Sequence, residues 1–223
     1  MTGAAALRLV YLHGFASGPQ SYKGVELQRR FAARGVEVEL PSLRVPSFER
    51  QRLSTMIETV YADLVARGVP TLLIGSSLGG MVAAHVALRT PLVAGLLLLA
   101  PAFGMAGRWR ERLGEEGLER WRRDEWISIF DYAERRESRL DYGYLVDGLA
   151  LRPEWPQPTC PIAVLHGSRD EVVPPATSER FCAGCPQATL QFVDDGHELA
   201  RSVDAIERAV DRMRAMPSAS PAS

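Results

Sequence analysis

The sequence predicts a doubly wound α/β fold: a mainly parallel sheet of about six strands, with a helical cap inserted after the strand that ends at Ala100. Three observations carry this expectation. Apolar runs of strand length alternate with helical periodicities from residue 7 onward. Two of those runs, Val93 to Leu99 and Ile162 to Leu165, are continuously apolar, as parallel strands covered on both faces require. Residue types suited to chemistry fall just behind the runs, at the carboxyl ends where open α/β sheets carry their sites.

Taken in order, Leu7 to Leu12 is the first strand and ends at His13-Gly14. Tyr22 to Arg34 reads as a charged amphipathic helix stopped by Gly35. Val36 to Leu40 alternates apolar and acidic residues, which suits a strand exposed on one side. Leu53, Ile57, Val60 and Leu64 form one stripe of a helix closed by Gly68. Val69 to Ile74 is a strand, and Leu78 to Leu88 a small-residue helix without a polar stripe, hence buried. After the runs at Val93 and Ile162, Thr189 to Val193 alternates. Val203, Ile206, Val210 and Met213 then mark a last helix. The continuous runs belong in the middle of the sheet, so the strands at Leu7, Val69, Val93 and Ile162 are expected to be central and the alternating ones at its edges.

One segment breaks the rhythm. From Ala102 to Gln157 charge density is high and no clear buried strand is visible, and all four tryptophans, Trp109, Trp121, Trp126 and Trp155, occur there. It is expected to be a helical cap over the site, spanning about residues 102–157. The remainder is read as a single domain over residues 1–216, followed by a small, polar, disordered tail at 217–223.

With 223 residues, 46% of them hydrophobic and 24% charged, and a formal net charge of −1, the chain has material for one core and no electrostatic bias toward nucleic acid or an anionic membrane. No apolar run reaches the ~20 residues that span a bilayer, and the first apolar stretch leads into the site instead of a cleavage signal. A cytoplasmic location is expected. Three cysteines, Cys160, Cys182 and Cys185, suit a reducing compartment. The spacing of Cys182 and Cys185 is redox-like, but Pro186 follows where a helix would be needed, so plain thiols are expected. No metal is expected. The loop Gly18 to Gly24 lacks phosphate-cradling spacing, and Lys23 is expected to be a solvated residue at a helix start.

The chemistry centres on Gly75-Ser76-Ser77-Leu78-Gly79, a GxSxG pattern between a strand and a helix. At such a turn the glycines keep side chains out of a crowded backbone and the serine oxygen projects above the sheet. A serine hydroxyl needs a base, and the base an orienting carboxylate. His197, in a turn after the last strand, is the candidate base. Asp170, just past the next-to-last strand, is the candidate acid, giving the chain order Ser, Asp, His. Asp194 and Asp195 are expected to shape the turn. The backbone N–H groups of Leu78 and Phe15 are candidate donors to an oxyanion. His13, Phe103, Trp109 and Trp126 are expected around the substrate pocket.

These residues resemble those of the α/β-hydrolases and, within them, the small bacterial esterases of the YqiA and YcfP type. The resemblance is carried by Tyr11 to Gly24, Gly75 to Gly80, His166-Gly-Ser-Arg-Asp170 and Asp195-Gly-His197. It implies cofactor-free hydrolysis of a small-molecule carboxylic ester or acyl thioester through an acyl-enzyme, with Ser77, Asp170 and His197 matching the family triad. A peptidase or amidase on the same triad, and a non-catalytic binding protein that keeps the scaffold, are the rival expectations. A dehalogenase would want a carboxylate where Ser77 stands.

Overall fold

A computed structural model describes residues 7–216; the expected tail at 217–223 lies outside the described residues. Strand β1 (Arg8–Leu12) is followed by helix α1 (Tyr22–Ala32), β2 (Val38–Glu39), α2 (Leu53–Arg67), β3 (Thr71–Ser76), α3 (Leu78–Ala87) and β4 (Val93–Leu99). An insertion then runs through α4 (Met105–Asp124), β5 (Trp126–Asp131), β6 (Arg136–Asp141) and α5 (Gly143–Ala150). The main sheet resumes with β7 (Ile162–Gly167), α6 (Ala176–Ala183), β8 (Ala188–Val193) and α7 (Val203–Ala215).

Six strands form one parallel sheet in the order β2-β1-β3-β4-β7-β8. The four strands expected to be central, at Leu7, Val69, Val93 and Ile162, are its inner strands, and the two alternating segments are its edges. The period of two within each strand divides the core between the faces. Val10, Leu12, Leu73, Leu96, Leu98 and Val164 pack on one side, and Leu9, Tyr11, Leu72, Ile74, Leu97 and Leu165 on the other. The second face is covered by Leu27 and Phe31 of α1 and by Ile206, Val210 and Met213 of α7. Arg30 and Arg34 of α1 also pair with Asp204, Glu207 and Asp211 of α7 at 2.6 to 3.2 Å. Strand order reverses between β1 and β3, which opens a crevice beyond their carboxyl ends.

The insertion is mixed, a correction to the helical cap the sequence suggested. Strands β5 and β6 form an antiparallel hairpin, in register from Trp126 opposite Asp141 to Asp131 opposite Arg136. The hairpin escapes pattern reading because its inward polar positions find partners elsewhere in the chain. Asp131, fully enclosed, takes both guanidinium nitrogens of Arg44. Asp141 pairs with Arg52 at 2.7 Å. Backbone bonds from Tyr132 to the Ala16 carbonyl and from Asp141 to the Glu49 carbonyl, each 2.9 Å, seat the hairpin against the loops behind β1 and β2.

At the opposite end of the sheet, Leu7, Pro70, Pro161, Met213 and Met216 surround an open cavity of about 810 Å³. Among the described residues, no helix is long and apolar enough to cross a membrane, and no cluster of His, Cys, Asp and Glu is arranged to hold a metal ion. Cys160, Cys182 and Cys185 are free. Burial pushes the Cys160 and Cys182 thiols up to about 11, the reverse of what a redox thiol needs.

Candidate active site

The turn after β3 holds Ser77 at φ 52°, ψ −113°, a conformation that a residue with a side chain adopts only when its surroundings impose it. The surroundings do so. Its N–H donates to the Leu99 carbonyl at 2.8 Å, and its carbonyl accepts from the Ala102 and Gly80 amides at 3.0 Å. A Cβ at Gly75 would collide with the backbone of Gly79 and Gly80, and one at Gly79 with the Leu12 carbonyl. Both glycines of the pattern are therefore required by close backbone approach. Helix α3 is buried from Leu78 to Val86, as its small, apolar surface leads one to expect.

The loops behind β7 and β8 bring two side chains to this serine. His197 Nε2 stands 3.1 Å from Ser77 Oγ, and His197 Nδ1 stands 2.7 Å from Asp170 Oδ2. Because the carboxylate only accepts, Nδ1 carries the proton and Nε2 is left to accept from the serine hydroxyl. Asp170 is buried, which by itself would raise its pKa. Hydrogen bonds from His166, from His197 and from the Val173 amide outweigh that and hold the carboxyl well below its usual range. It is an anion at neutral pH.

Asp195 accepts from the Gly196 and Arg201 amides at 2.8 and 2.9 Å and from the Ser202 hydroxyl at 2.9 Å, so it ties the turn that carries His197. Asp194 lies outside this turn network and pairs with Arg169 at 3.0 Å. The Phe15 and Leu78 amides have no acceptor among the described residues. Leu78 opens α3, where orphan N–H groups and the helix dipole favour negative charge.

The four expected pocket residues separate. Trp109 meets the Phe15 ring edge-on at 6.0 Å, in a cluster with Tyr144 and Trp121 beside the turn after β1. Phe103 is stacked on Phe181 at 4.4 Å and enclosed. His13 is a buried brace: Nδ1 donates to the Gly14 carbonyl and Nε2 accepts from the Leu43 amide, both at 2.9 Å, so neither nitrogen is spare. Trp126 stands at the start of the hairpin with its ring covered by the guanidinium groups of Arg139 and Arg50, at 4.0 and 5.5 Å, and it joins none of the aromatic contacts around Phe15.

Two residues around the site escaped the sequence reading. Lys23, expected in solvent, is only 7% exposed, and its ammonium group donates to the carbonyl of Glu198, next to His197. Burial lowers its pKa, while Glu198, Asp195 and Asp170 favour its charge. The signal lay in its place within Ser21-Tyr-Lys-Gly24, part of the very segment that carries the family resemblance. His166 Nε2 faces both the Val173 carbonyl at 2.9 Å and Asp170 Oδ2 at 3.1 Å. A nitrogen facing two acceptors is an N–H, and Nδ1 then accepts from Ser178 at 2.6 Å. His166 thus donates to the same carboxylate oxygen, Oδ2, that His197 holds.

Residues 8–214 match the family described as "Uncharacterised protein family (UPF0227)". Mouse mitochondrial palmitoyl-protein thioesterase ABHD10 is 26% identical over 184 residues, which cover 74% of this chain and 59% of that protein. The chain therefore spans about three fifths of the length of the curated relatives it matches. Among solved structures, Est1E from Butyrivibrio proteoclasticus with ferulic acid bound superposes with a TM-score of 0.77 at 19% identity, covering 93% of this chain and 88% of that one. Mouse α/β-hydrolase domain-containing protein 10 does so with a TM-score of 0.71 at 19% identity, covering 92% and 88%. These likenesses show the α/β-hydrolase fold.

Proposed function

Since the chain belongs to the UPF0227 family and has the α/β-hydrolase fold, we propose that it is a serine hydrolase of carboxylic esters or acyl thioesters, acting through an acyl-enzyme. One observation carries the reading: the continuous path from Ser77 Oγ to His197 at 3.1 Å and from His197 to Asp170 at 2.7 Å. The thioesterase named among the relatives and the thermophilic esterase from Thermogutta terrifontis among the structural neighbours support the same reaction class.

In this reading the Ser77 oxygen attacks the acyl carbon as its proton passes to His197 Nε2. The oxygen that becomes negative is met by the Phe15 and Leu78 N–H groups, each such donor commonly worth about 10²- to 10³-fold in rate. The imidazolium that forms is stabilised by the Asp170 anion, which does not itself take the proton. His197 then protonates the departing alcohol or thiol, removes a proton from water for attack on the acyl-enzyme, and returns it to Ser77 as the acid is released. Residues 102–157 serve as the cap over a single catalytic domain, with Phe15, Trp109 and Tyr144 lining the approach.

The test is labelling of the protein with a fluorophosphonate probe, together with hydrolysis of p-nitrophenyl butyrate, an acyl-CoA and an anilide. Ser77→Ala is expected to abolish labelling and to lower kcat by about 10⁴- to 10⁶-fold without disturbing the fold. An active Ser77→Ala protein would overturn the proposal, and preference for the anilide would move it to amide hydrolysis.

A further inference from the structure

Four N–H groups converge on the Asp170 carboxylate, and only one of them belongs to His197. Oδ1 accepts from the Val172 and Val173 amides at 2.9 and 2.8 Å. Oδ2 accepts from His197 Nδ1 at 2.7 Å and also faces His166 Nε2 at 3.1 Å. An ionised carboxylate has about four acceptor positions, so this one is full. One oxygen is fixed by the backbone of its own loop. The other is shared between two imidazoles, of which one reaches Ser77 and the other, fully enclosed, is out of reach of any substrate.

The direction of the His166 bond is set one layer further out. Its Nδ1 stands 2.6 Å from the hydroxyl of Ser178, a fully buried residue of α6. A hydroxyl can turn its proton toward the partner that lacks one, and here Nδ1 lacks it. The Nε2 proton is shared between Asp170 Oδ2 and the Val173 carbonyl at 2.9 Å. In the other tautomer a lone pair would face both oxygens, and two buried acceptors would lose a donor. Ser178, His166, Asp170, His197 and Ser77 thus form one series of contacts at 2.6, 3.1, 2.7 and 3.1 Å.

We propose that His166 and Ser178 are positioning residues of the active site: the His166 N–H, held in its tautomer by Ser178, fixes Asp170 Oδ2 and shares its charge, so that the carboxylate aims His197 at Ser77 without over-binding its proton. The proposal rests on the hydrolase reading above and deepens it. Two amides on Oδ1 leave Oδ2 free to swing about the Cβ–Cγ bond, and His166 removes that freedom. An oxygen that serves two donors also presents less charge to each, so loss of the His166 donor would favour the His197 imidazolium. Burial raises the Asp170 pKa, and among the hydrogen bonds that more than offset this the one from His166 is the largest. The other charges near the pair are Lys23 of α1 and Arg108 of α4, both of which act on Asp170, and Asp195 and Glu198 beside His197. Arg169 is paired with Asp194 at 3.0 Å, and Glu171 and Glu179 are exposed. None of these changes when His166 or Ser178 is replaced.

The experiment is the pH dependence of kcat/KM for p-nitrophenyl butyrate in the native protein and three variants. In His166→Leu the acid limb is expected to move to higher pH by about 0.5 to 1. Its plateau kcat should fall about 10- to 100-fold while KM changes less than about threefold, because the chemical step and not binding depends on the aim of the base. His166→Gln, whose amide can place an N–H near the position of Nε2, should return the limb to within about 0.2 of native and recover most of kcat. Ser178→Ala should act in the same direction as His166→Leu by less. A folded His166→Leu protein with the native limb and native kcat would overturn the proposal, and an equal loss in the Leu and Gln variants would overturn it in favour of packing. If the variants fail to fold, the native protein decides: nitrogen NMR of histidine-labelled protein at pH 7 is expected to show His166 protonated at Nε2 and bare at Nδ1, and the opposite tautomer would overturn the proposal. Fluorophosphonate labelling of native Ser77 keeps the two readings apart. Without labelling the hydrolase reading fails; with labelling and an unmoved pH profile only the role of His166 and Ser178 does.

Discussion

Lys23 links the first helix to the loop that holds the His197 imidazole beside Ser77. Its ammonium group is buried against the Glu198 carbonyl, one residue beyond His197, and a hydrogen bond from a charged donor is worth roughly 1.5 to 3 kcal/mol. Lys23→Met should therefore loosen the base without touching the substrate. Steady-state kinetics on p-nitrophenyl butyrate are expected to show kcat lowered about 10- to 100-fold with KM changed less than threefold, and fluorophosphonate labelling slowed in parallel, because misplacement of a catalytic group reaches the chemical step. An equal loss in Lys23→Arg would argue for packing in place of the hydrogen bond. The candidate triad is legible in the sequence because GxSxG, a carboxylate behind one strand and a histidine behind the next are local signals in a fixed order. Lys23 and His166 are not legible in that way, since each acts through a backbone or a carboxylate far along the chain, and nothing near it in sequence names the partner.

At the level of elements, β4 and β7 announce themselves by unbroken apolar runs, and α2 and α7 by stripes whose members are all buried. The hairpin of β5 and β6 does not. Its second strand reads Arg-Glu-Ser-Arg-Leu-Asp, and it is held by acids facing arginines from the 44–52 segment. Such pairing is a tertiary fact that periodicity does not record. Breaking a buried ion pair by removing one partner leaves an uncompensated charge, commonly costing about 3 to 5 kcal/mol. Asp131 also accepts from the Ala133 and Glu134 amides at 3.1 and 3.2 Å, so the same side chain shapes the hairpin turn. Asp131→Ala is expected to lower the urea-unfolding free energy by about 3 kcal/mol. In the Arg44→Ala/Asp131→Ala double variant the loss should be smaller than the sum of the single losses, because neither charge is then stranded.

For the whole molecule, pH should act on stability in two windows. His85 has its pKa lowered from 6.5 to about 4 by burial. Between those values the unfolded chain binds a proton that the folded chain refuses, so stability is full above about pH 6.5 and falls as pH drops toward 4, by at most about 3 kcal/mol. Asp170, Asp195 and Glu39 have pKa values held below their ordinary range by hydrogen bonds that outweigh burial for the two aspartates, and chiefly by the hydrogen bond from Arg8 for Glu39. Their contribution is present above the unfolded carboxylate value of about 4 and is lost as pH falls below it. Urea midpoints are expected to fall from pH 7 to pH 5 in the native chain and by less in His85→Leu, where the buried His13, its pKa also lowered by burial, still resists protonation, and to fall in both from pH 4 to pH 3. The cavity at the foot of the sheet has a practical corollary: residue 7 and residue 216 border the same hollow, on the side away from Ser77, His197 and the cap. Anchored to a bead or an electrode at residue 7 or residue 216, the protein would turn the Ser77 face outward.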